Sequence, residues 1–300
     1  MSNLTLRQMR YFEALARHRH FGRAAADCAV TQPALSMQIK ELEEALGAPL
    51  FERGGARQMR LTGLGEVLLD RVQGILRSVD DLKDLARAAG NRPAGRLRIG
   101  VIPTIAPYLL PRIIARLAES YPDLDLALRE TVTPRLIEEL TDGRLDTAIL
   151  ALPVSEPALT EVPLFTERFV LVRSEEDAQK PVPSRDMLRE MRLLLLEEGH
   201  CFRDQALSFC NMVSSRPREV LDGSSLSTLV QMVGAGIGVT LIPEMAVPVE
   251  TRSAAVSVTR FRDPQPMRTI GMVWRKSNPL EAQLMQIAEA VRQSADPARN

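Results

Sequence analysis

Cysteine is scarce in this chain, with three among 300 residues. Three thiols cannot all pair within one chain, and a reducing compartment would keep ordinary thiols free, so a structural disulfide framework is not expected. Long hydrophobic runs are missing too. No stretch reaches the roughly 18 uninterrupted apolar residues of a membrane-spanning helix, and the opening MSNLTLRQMR lacks the apolar centre of a secretory signal. The expectation is a globular, cytoplasmic chain without membrane attachment, in which any disulfide is transient. Net charge is also absent, because 38 Lys and Arg balance 38 Asp and Glu.

What is present is enough apolar residue, 45% of the chain, for two or three domains with real cores. The zero charge conceals a split. The first 65 residues hold nine basic against six acidic side chains, a net of +3 that leaves −3 for the rest. A small, arginine-rich segment suits an anionic partner such as nucleic acid, although a solvated basic surface would show the same balance.

Periodicity sharpens that reading. Leu6, Met9, Phe12 and Leu15 recur at helical spacing, and Phe21-Gly22-Arg23-Ala24-Ala25-Ala26 opens a short second helix. In TQPALSMQIKELEEALG, Thr31 is placed to cap a third helix, Pro33 falls in its first turn and Gly47 stops it. Leu35, Ile39, Leu42 and Leu46 would face inward. Thr31, Gln32, Pro33, Ser36, Gln38 and Lys40 then occupy the first turn and outer face, where polar groups could reach base edges and phosphates in a major groove. LFERGGARQMRLT reads as a hairpin with a Gly-Gly turn, a wing carrying Arg53, Arg57 and Arg60.

The run AAADCAVTQPALSMQIKELEEALGAPLFER resembles the winged helix-turn-helix of LysR-type transcriptional regulators. After it, Leu68, Val72, Ile75, Val79, Leu82, Ala86 and Ala89 follow three- and four-residue steps, the spacing of a coiled-coil seam. This predicts a dimerising linker helix broken at GNRPAG, against the plainer alternative of a helix packed on its own domain. A dimer would present two recognition helices to the half-sites of one operator.

From about residue 94 the chain alternates strands and amphipathic helices. GRLRIGVIPTIAPYLLPRIIARLAESYPDLDLALRE and RLIEELTDGRLDTAILAL predict α/β units around a mainly parallel sheet. PLFTERFVLVRS, MRLLLLEEG and SSLSTLVQMVGAGIGVTLIPEMAV predict a second α/β lobe, and RTIGMVWRKSNPLEAQLMQIAEAVRQ a return to the first. The resemblance implies an α/β fold with an N-terminal all-α winged helix-turn-helix and a two-lobed regulatory domain like the periplasmic binding proteins. The expected divisions are 1–65 for DNA binding, 66–92 for the linker helix and hinge, and 93–300 for regulation. Lobe I would take about 93–165 and 268–300, and lobe II about 166–267.

The segment GHCFRDQALSFC holds two of the three cysteines nine positions apart. Phe202, Ala206, Phe209 and Cys210 predict a helix, along which nine residues separate the Cα atoms by roughly 13 Å and half a turn. A disulfide needs them within about 7 Å. Cys201 and Cys210 can therefore pair only if the segment unwinds, which couples oxidation to a change of shape. Cys201 would sit at a helix N-terminus beside His200 and Arg203, where positive charge favours a thiolate. Two other readings stay open on the residues alone. The cysteines can be small buried hydrophobes, or His200, Cys201 and Cys210 can bind zinc, although a compact fourth ligand is lacking.

The likeness to LysR-type regulators extends over essentially the whole chain to their hydrogen-peroxide-responsive activators, through IPTIAPYLLP, EVPLF, LLLLEEGHCFRDQALSFC, VGAGIGVTLIP and RTIGMVWR. It is weakest at NMVSSRPREVLD and in the strand-poor stretch 245–266. The resemblance implies that Cys201 is the peroxidatic thiol and Cys210 the resolving one. It further implies that Thr104, Thr133 and His200 hold peroxide or its bridging water, that Asp204 orients it, and that Arg268 supports the thiolate. No cofactor is expected, only hydrogen peroxide as signal. The implied partners are double-stranded operator DNA, RNA polymerase, a glutaredoxin or thioredoxin reductant, and further copies of the chain as a dimer of dimers. Cys28 is read as packing in the helical core. A regulator answering a metabolite between the lobes and a thiol peroxidase remain as alternatives, the second opposed by the DNA-binding segment.

Overall fold

Apolar residues at helical spacing build the N-terminal unit. The computed structural model describes residues 4–52, 59–90, 92–210 and 221–295, in one unit ending at Ala86 and another beginning at Arg87. In the first, α1 (Leu6–His18) starts at a reciprocal cap, Thr5 Oγ1 accepting from Gln8 N and Gln8 Oε1 from Thr5 N. Helix α2 (Phe21–Asp27) and helix α3 (Gln32–Leu46) follow, α3 ending at Gly47 with φ +70°. Phe12, Leu15, Leu35, Ile39, Leu42 and Leu50 seal the core, with Leu46 only partly buried and the Phe12 and Phe51 rings edge to face at 5.6 Å. An antiparallel bridge joins Phe51 to Leu61 at the base of the wing. Arg53 and Arg57 lie outside the described residues, and Arg60 is exposed.

Helix α4 (Gly63–Ala88) corrects the expected seam. Val72 is buried, and Leu68, Leu69 and Leu76 pack with it against the unit's own core. The exposed apolar stripe is a different one, formed by Leu64, Val67, Ile75, Leu82 and Leu85. One helix carries two apolar stripes, and only Ile75 and Leu82 of the large seam residues fall on the exposed one.

The second unit begins with β1 (Gly95–Val101), α5 (Ala106–Ser120), β2 (Leu124–Glu130), α6 (Thr133–Thr141) and β3 (Thr147–Leu152). Then come β4 (Leu159–Ser174), α7 (Arg185–Glu190), β5 (Leu193–Leu196), α8 (Cys201–Phe209), β6 (Leu221–Gly223) and α9 (Leu226–Gly234). The chain closes with β7 (Val239–Pro243), α10 (Val247–Glu250), β8 (Val256–Arg260), β9 (Met267–Arg275) and α11 (Glu281–Ala295). The stretch read as strand-poor thus contains a strand, β8, at the side of β4.

The strands run in the order β2-β1-β3-β9-β4-β7-β5-β6. Strands β1, β2 and β3 are parallel, as are β5, β6 and β7, but every ladder made by β4 or β9 is antiparallel. The sheet is therefore mixed where a mainly parallel one was expected. Strand β4 is shared. Its Leu159–Arg168 half pairs with β9, and from Phe169 onward it pairs with β7 and β8. Two cores result, one around Ile99, Ile113, Ile149 and Trp274, the other around Leu171, Leu194, Phe202 and Val230. Between the lobes, Tyr108 Oη donates to Glu250 Oε1 at 2.6 Å.

Candidate functional site

The turn after β5 sets the site. Gly199 takes φ +92°, a left-handed conformation that favours glycine, and lies beside Val132 at the start of α6. His200 caps α8 from extended backbone and Cys201 is its first helical residue. Cys201 is partly buried and packs against the first core, although α8 as a whole builds the second. The thiol stands where the lobes meet. Burial lowers the pKa of His200, with Glu197 opposing, so near neutral pH its imidazole is uncharged and can donate at one nitrogen and accept at the other.

Cys210 is the C-cap of the same helix and fully buried in the second core, with Phe202, Ala206 and Leu207 buried on the same helix. Burial pushes its thiol up to about 11, Arg185 opposing. Both thiols are free. The intact helix keeps their Cα atoms about 13 Å apart, so pairing requires α8 to unwind. The zinc reading fails on the same ground, and among the described residues no group of three or more His, Cys, Asp or Glu could hold a metal ion.

The other four expected residues lie at the start of α6, in the turn after β1, on β9 and on α8 itself. Thr133 opens α6 beside the Gly199 turn, and its Oγ1 is buried without a hydrogen-bond partner among the described residues. Thr104 is buried, its Oγ1 accepting from Arg268 Nη1 at 2.8 Å and its carbonyl from Nη2 at 3.1 Å. Arg268 Nε donates to Glu167 Oε2 at 2.9 Å, and its guanidinium lies 5.4 Å from the Phe202 ring centre. Asp204 is exposed, one helical turn beyond Cys201. Arg203 departs from expectation. It donates to Leu196 O and to Asp222, so its charge is committed there rather than to the thiol.

Sequence reasoning missed two groups. Glu167, buried on β4, neutralises Arg268, and burial raises its pKa against the lowering effect of that arginine. Only the β4–β9 register, which pairs Glu167 with Arg268, reveals it. Gln205 stands one turn beyond Cys201, and its Oε1 is buried without a partner among the described residues. Its signal was the i, i+4 spacing from Cys201. Thr133 and Gln205 thus each keep a buried hydrogen-bonding atom that has no partner among the described residues.

The residues expected to contact nucleic acid lie on the other unit. Thr31, Gln32, Pro33, Ser36 and Lys40 are exposed on α3, and Thr31 makes no side-chain capping bond. Gln38 instead donates to Glu41 Oε2 at 2.7 Å and is partly buried, while Lys40 lies 3.6 Å from Glu44. Met37, 56% exposed on the same face, was not among the expected contacts.

Comparison with known proteins follows this division. Residues 6–66 match the bacterial regulatory helix-turn-helix protein of the lysR family, and residues 90–296 match the LysR substrate binding domain. The DNA-binding transcriptional dual regulator OxyR of Escherichia coli K12 is 43% identical over 296 residues, covering 98% of this chain and 96% of that protein. The chain belongs to the OxyR group of the LysR family. A probable hydrogen peroxide-inducible genes activator of Streptomyces viridosporus is 44% identical to this LysR-family chain over 295 residues, 97% of it and 94% of the relative. Among solved structures, a full-length cysteine variant of Pseudomonas aeruginosa OxyR matches with a TM-score of 0.74 and 36% identity, covering 97% of this chain and 98% of that one. A hydrogen-peroxide-bound cysteine mutant of Corynebacterium glutamicum OxyR matches at 0.67 and 34%, covering 97% and 92%. In this LysR-family chain no described helix is long and apolar enough to cross a membrane.

Proposed function

We propose that this LysR-family chain is a hydrogen-peroxide-sensing transcriptional regulator, an activator of oxidative-stress genes, switched by a reversible disulfide between Cys201 and Cys210. The observation that carries the reading is one helix with a partly exposed thiol at its start and a sealed thiol at its end. The relatives named as hydrogen peroxide-inducible genes activators support it.

The chemistry balances on these two thiols. The Cys201 thiolate attacks one peroxide oxygen, the O–O bond breaks, Cys201 becomes a sulfenic acid, and the second oxygen leaves as water after taking up a proton. The Cys210 thiol then attacks the sulfenic sulfur, forming the S–S bond and releasing a second water. Two thiols have reduced one peroxide to two waters, and an external dithiol of the glutaredoxin or thioredoxin class reverses the step. This is stoichiometric switching rather than turnover.

Each pocket residue takes a role. Arg268 supplies the bond that Thr104 Oγ1 accepts, which leaves the Thr104 proton to donate to peroxide or its bridging water. Thr133 and neutral His200 complete the hold, Asp204 orients peroxide from the exposed side, and Arg268, its charge shared with Glu167, supports the thiolate through the hydrogen bonds it donates to Thr104. Unwinding of α8 would remove partly buried Phe209 and buried Cys210 from the second core at a cost of up to about 3 kcal/mol, the value for a fully buried aromatic side chain. A redox gap of roughly 100 mV covers that, since about 30 mV corresponds to 1.4 kcal/mol for a two-electron couple.

Output runs through DNA. The chain acts in the cytoplasm as a homo-oligomer, a dimer of dimers, joined in part by the exposed stripe of α4. Its α3 faces read operator half-sites, Arg53 and Arg57 of the wing contact the backbone, and the refolded regulatory unit changes their spacing and recruits RNA polymerase. Thiol mapping by mass spectrometry tests the switch. Near-stoichiometric peroxide should give a rapid Cys201–Cys210 disulfide with Cys28 still free, because burial and Asp27 raise the Cys28 pKa. An unreacted Cys201 would overturn the reading and direct attention to a metabolite between the lobes.

A further inference from the structure

The end of α8 is held by a contact outside the peroxide pocket. Arg185 opens α7, whose backbone is fixed by Ser184 Oγ accepting from Met187 N at 3.2 Å and by the fully buried Leu188. From there its guanidinium carbon lies 4.6 Å from the centre of the Phe209 ring, within cation–π range. The Phe209 ring also stands edge to face with the Phe261 ring, centroids 5.0 Å apart. Arg185 Nη2 also reaches Pro264 O at 3.5 Å, in the loop that follows Phe261. Phe209 is the last residue of α8 and Cys210 its C-cap.

We infer that Arg185, Phe209 and Phe261 form a clasp that keeps the C-terminal end of α8 folded and so sets how fast Cys210 is released to oxidised Cys201. The inference rests on the disulfide reading above. Cys210 cannot approach Cys201 while α8 is intact, and its neighbour Phe209 must leave both Arg185 and Phe261 when the last turn opens. None of the three clasp residues belongs to the proposed peroxide pocket. Arg185 is therefore a positioning residue that acts on the second covalent step, the attack of the Cys210 thiol on the Cys201 sulfenic sulfur with loss of water. It leaves the first step, attack of the Cys201 thiolate on peroxide, unaltered.

The test separates opening from chemistry. In a Cys201→Ser background, alkylation of Cys210 by iodoacetamide reports opening of the helix end without any redox step. Arg185→Gln should raise that rate by about two- to five-fold, the effect of one exposed cation–π contact on an opening equilibrium. Phe261→Leu should raise it too, and Arg185→Lys should raise it less than Arg185→Gln. With both cysteines present, quenched-flow thiol mapping after peroxide should show disulfide closure accelerated by the same factor in Arg185→Gln. Trapping of the Cys201 sulfenic acid by dimedone in a Cys210→Ser background should proceed at the same rate with or without Arg185. Unchanged or slower Cys210 alkylation in Arg185→Gln overturns the clasp. Faster alkylation with unchanged closure overturns its rate-setting role. A wild-type chain that forms no Cys201–Cys210 disulfide, while alkylation still responds to Arg185, overturns the disulfide reading and the rate-setting role with it but leaves the clasp standing.

Discussion

Arg268 on β9 holds Thr104 by two hydrogen bonds and Glu167 by a third, while its guanidinium stands 5.4 Å from the ring of Phe202, the neighbour of Cys201. One buried cation thus ties the turn after β1, the shared strand β4 and the start of α8. Both partners of the ion pair are withdrawn from water, with side-chain exposures of 0% and 5%. Such a pair adds little net stability when intact, and losing one partner is costly because the other charge is stranded.

Arg268→Met should therefore destabilise the chain by about 3–5 kcal/mol at neutral pH. The sign of its pH dependence follows from Glu167, whose pKa burial already raises and whose one opposing cation is removed. A carboxyl with a raised folded pKa favours the folded state at low pH, and that advantage is lost as pH rises through the folded value. Urea unfolding midpoints should accordingly show the gap between wild type and variant narrowing as pH falls from 7 toward 5. A gap independent of pH would mean that Glu167 is not the stranded charge.

His200 gives the opposite slope. Its pKa is lowered by burial, so the unfolded chain takes up a proton that the folded chain refuses. Its contribution is present above the unfolded value of about 6.5 and lost as pH falls through the lower folded value. His200→Asn should flatten the decline in thermal midpoint of wild type below about pH 6.5, the ordinary histidine value. An unchanged decline would assign it to other groups.

Local pattern carried much of this molecule into view. Leu35, Ile39 and Leu42 announce α3, and Phe202, Ala206 and Cys210 announce α8, because a helix that buries one face must repeat apolar residues every three to four positions. Long-range register was not legible. Glu167 and Arg268 lie 101 positions apart and meet only because β4 and β9 pair antiparallel. Arg203 reads as a neighbour of Cys201 until Asp222, 19 positions on, is seen to take its charge. Strand β8 is five residues long, and its valines mark no buried face, Val256 being partly buried and Val258 exposed. On α4 the same spacing suited two opposite faces, and a sequence cannot say which one its own domain covers.

That ambiguity yields a paired test. Val72 is 3% exposed against the core of its own unit, whereas Leu82 and Leu85 are 66% and 56% exposed. Val72→Ala should lower stability by about 0.5–3 kcal/mol, the usual range for a core truncation. Leu82→Ser with Leu85→Ser should alter it by no more than roughly 0.5 kcal/mol, as at other surface positions, yet weaken self-association in sedimentation velocity. Unchanged sedimentation would remove this stripe from the oligomer interface.

DNA contacts separate in the same way, by what each exposed side chain can read. Gln32 projects from the first turn of α3 and can pair with an adenine edge, while Lys40, two turns further along, offers only charge and is held loosely by Glu44 at 3.6 Å. Gln32→Ala should cost about 1–3 kcal/mol of discrimination at one base position, as expected for a bidentate contact. It should leave the salt dependence of binding intact. Lys40→Ala should instead weaken binding to all sequences alike and reduce the slope of log K against log salt by about 1, the signature of one lost phosphate contact. Titrations of operator and scrambled DNA at several salt concentrations read both quantities at once. If Lys40→Ala changed sequence preference while the salt slope held, its ammonium would be on a base edge, and α3 would sit about one turn deeper in the groove than this face implies.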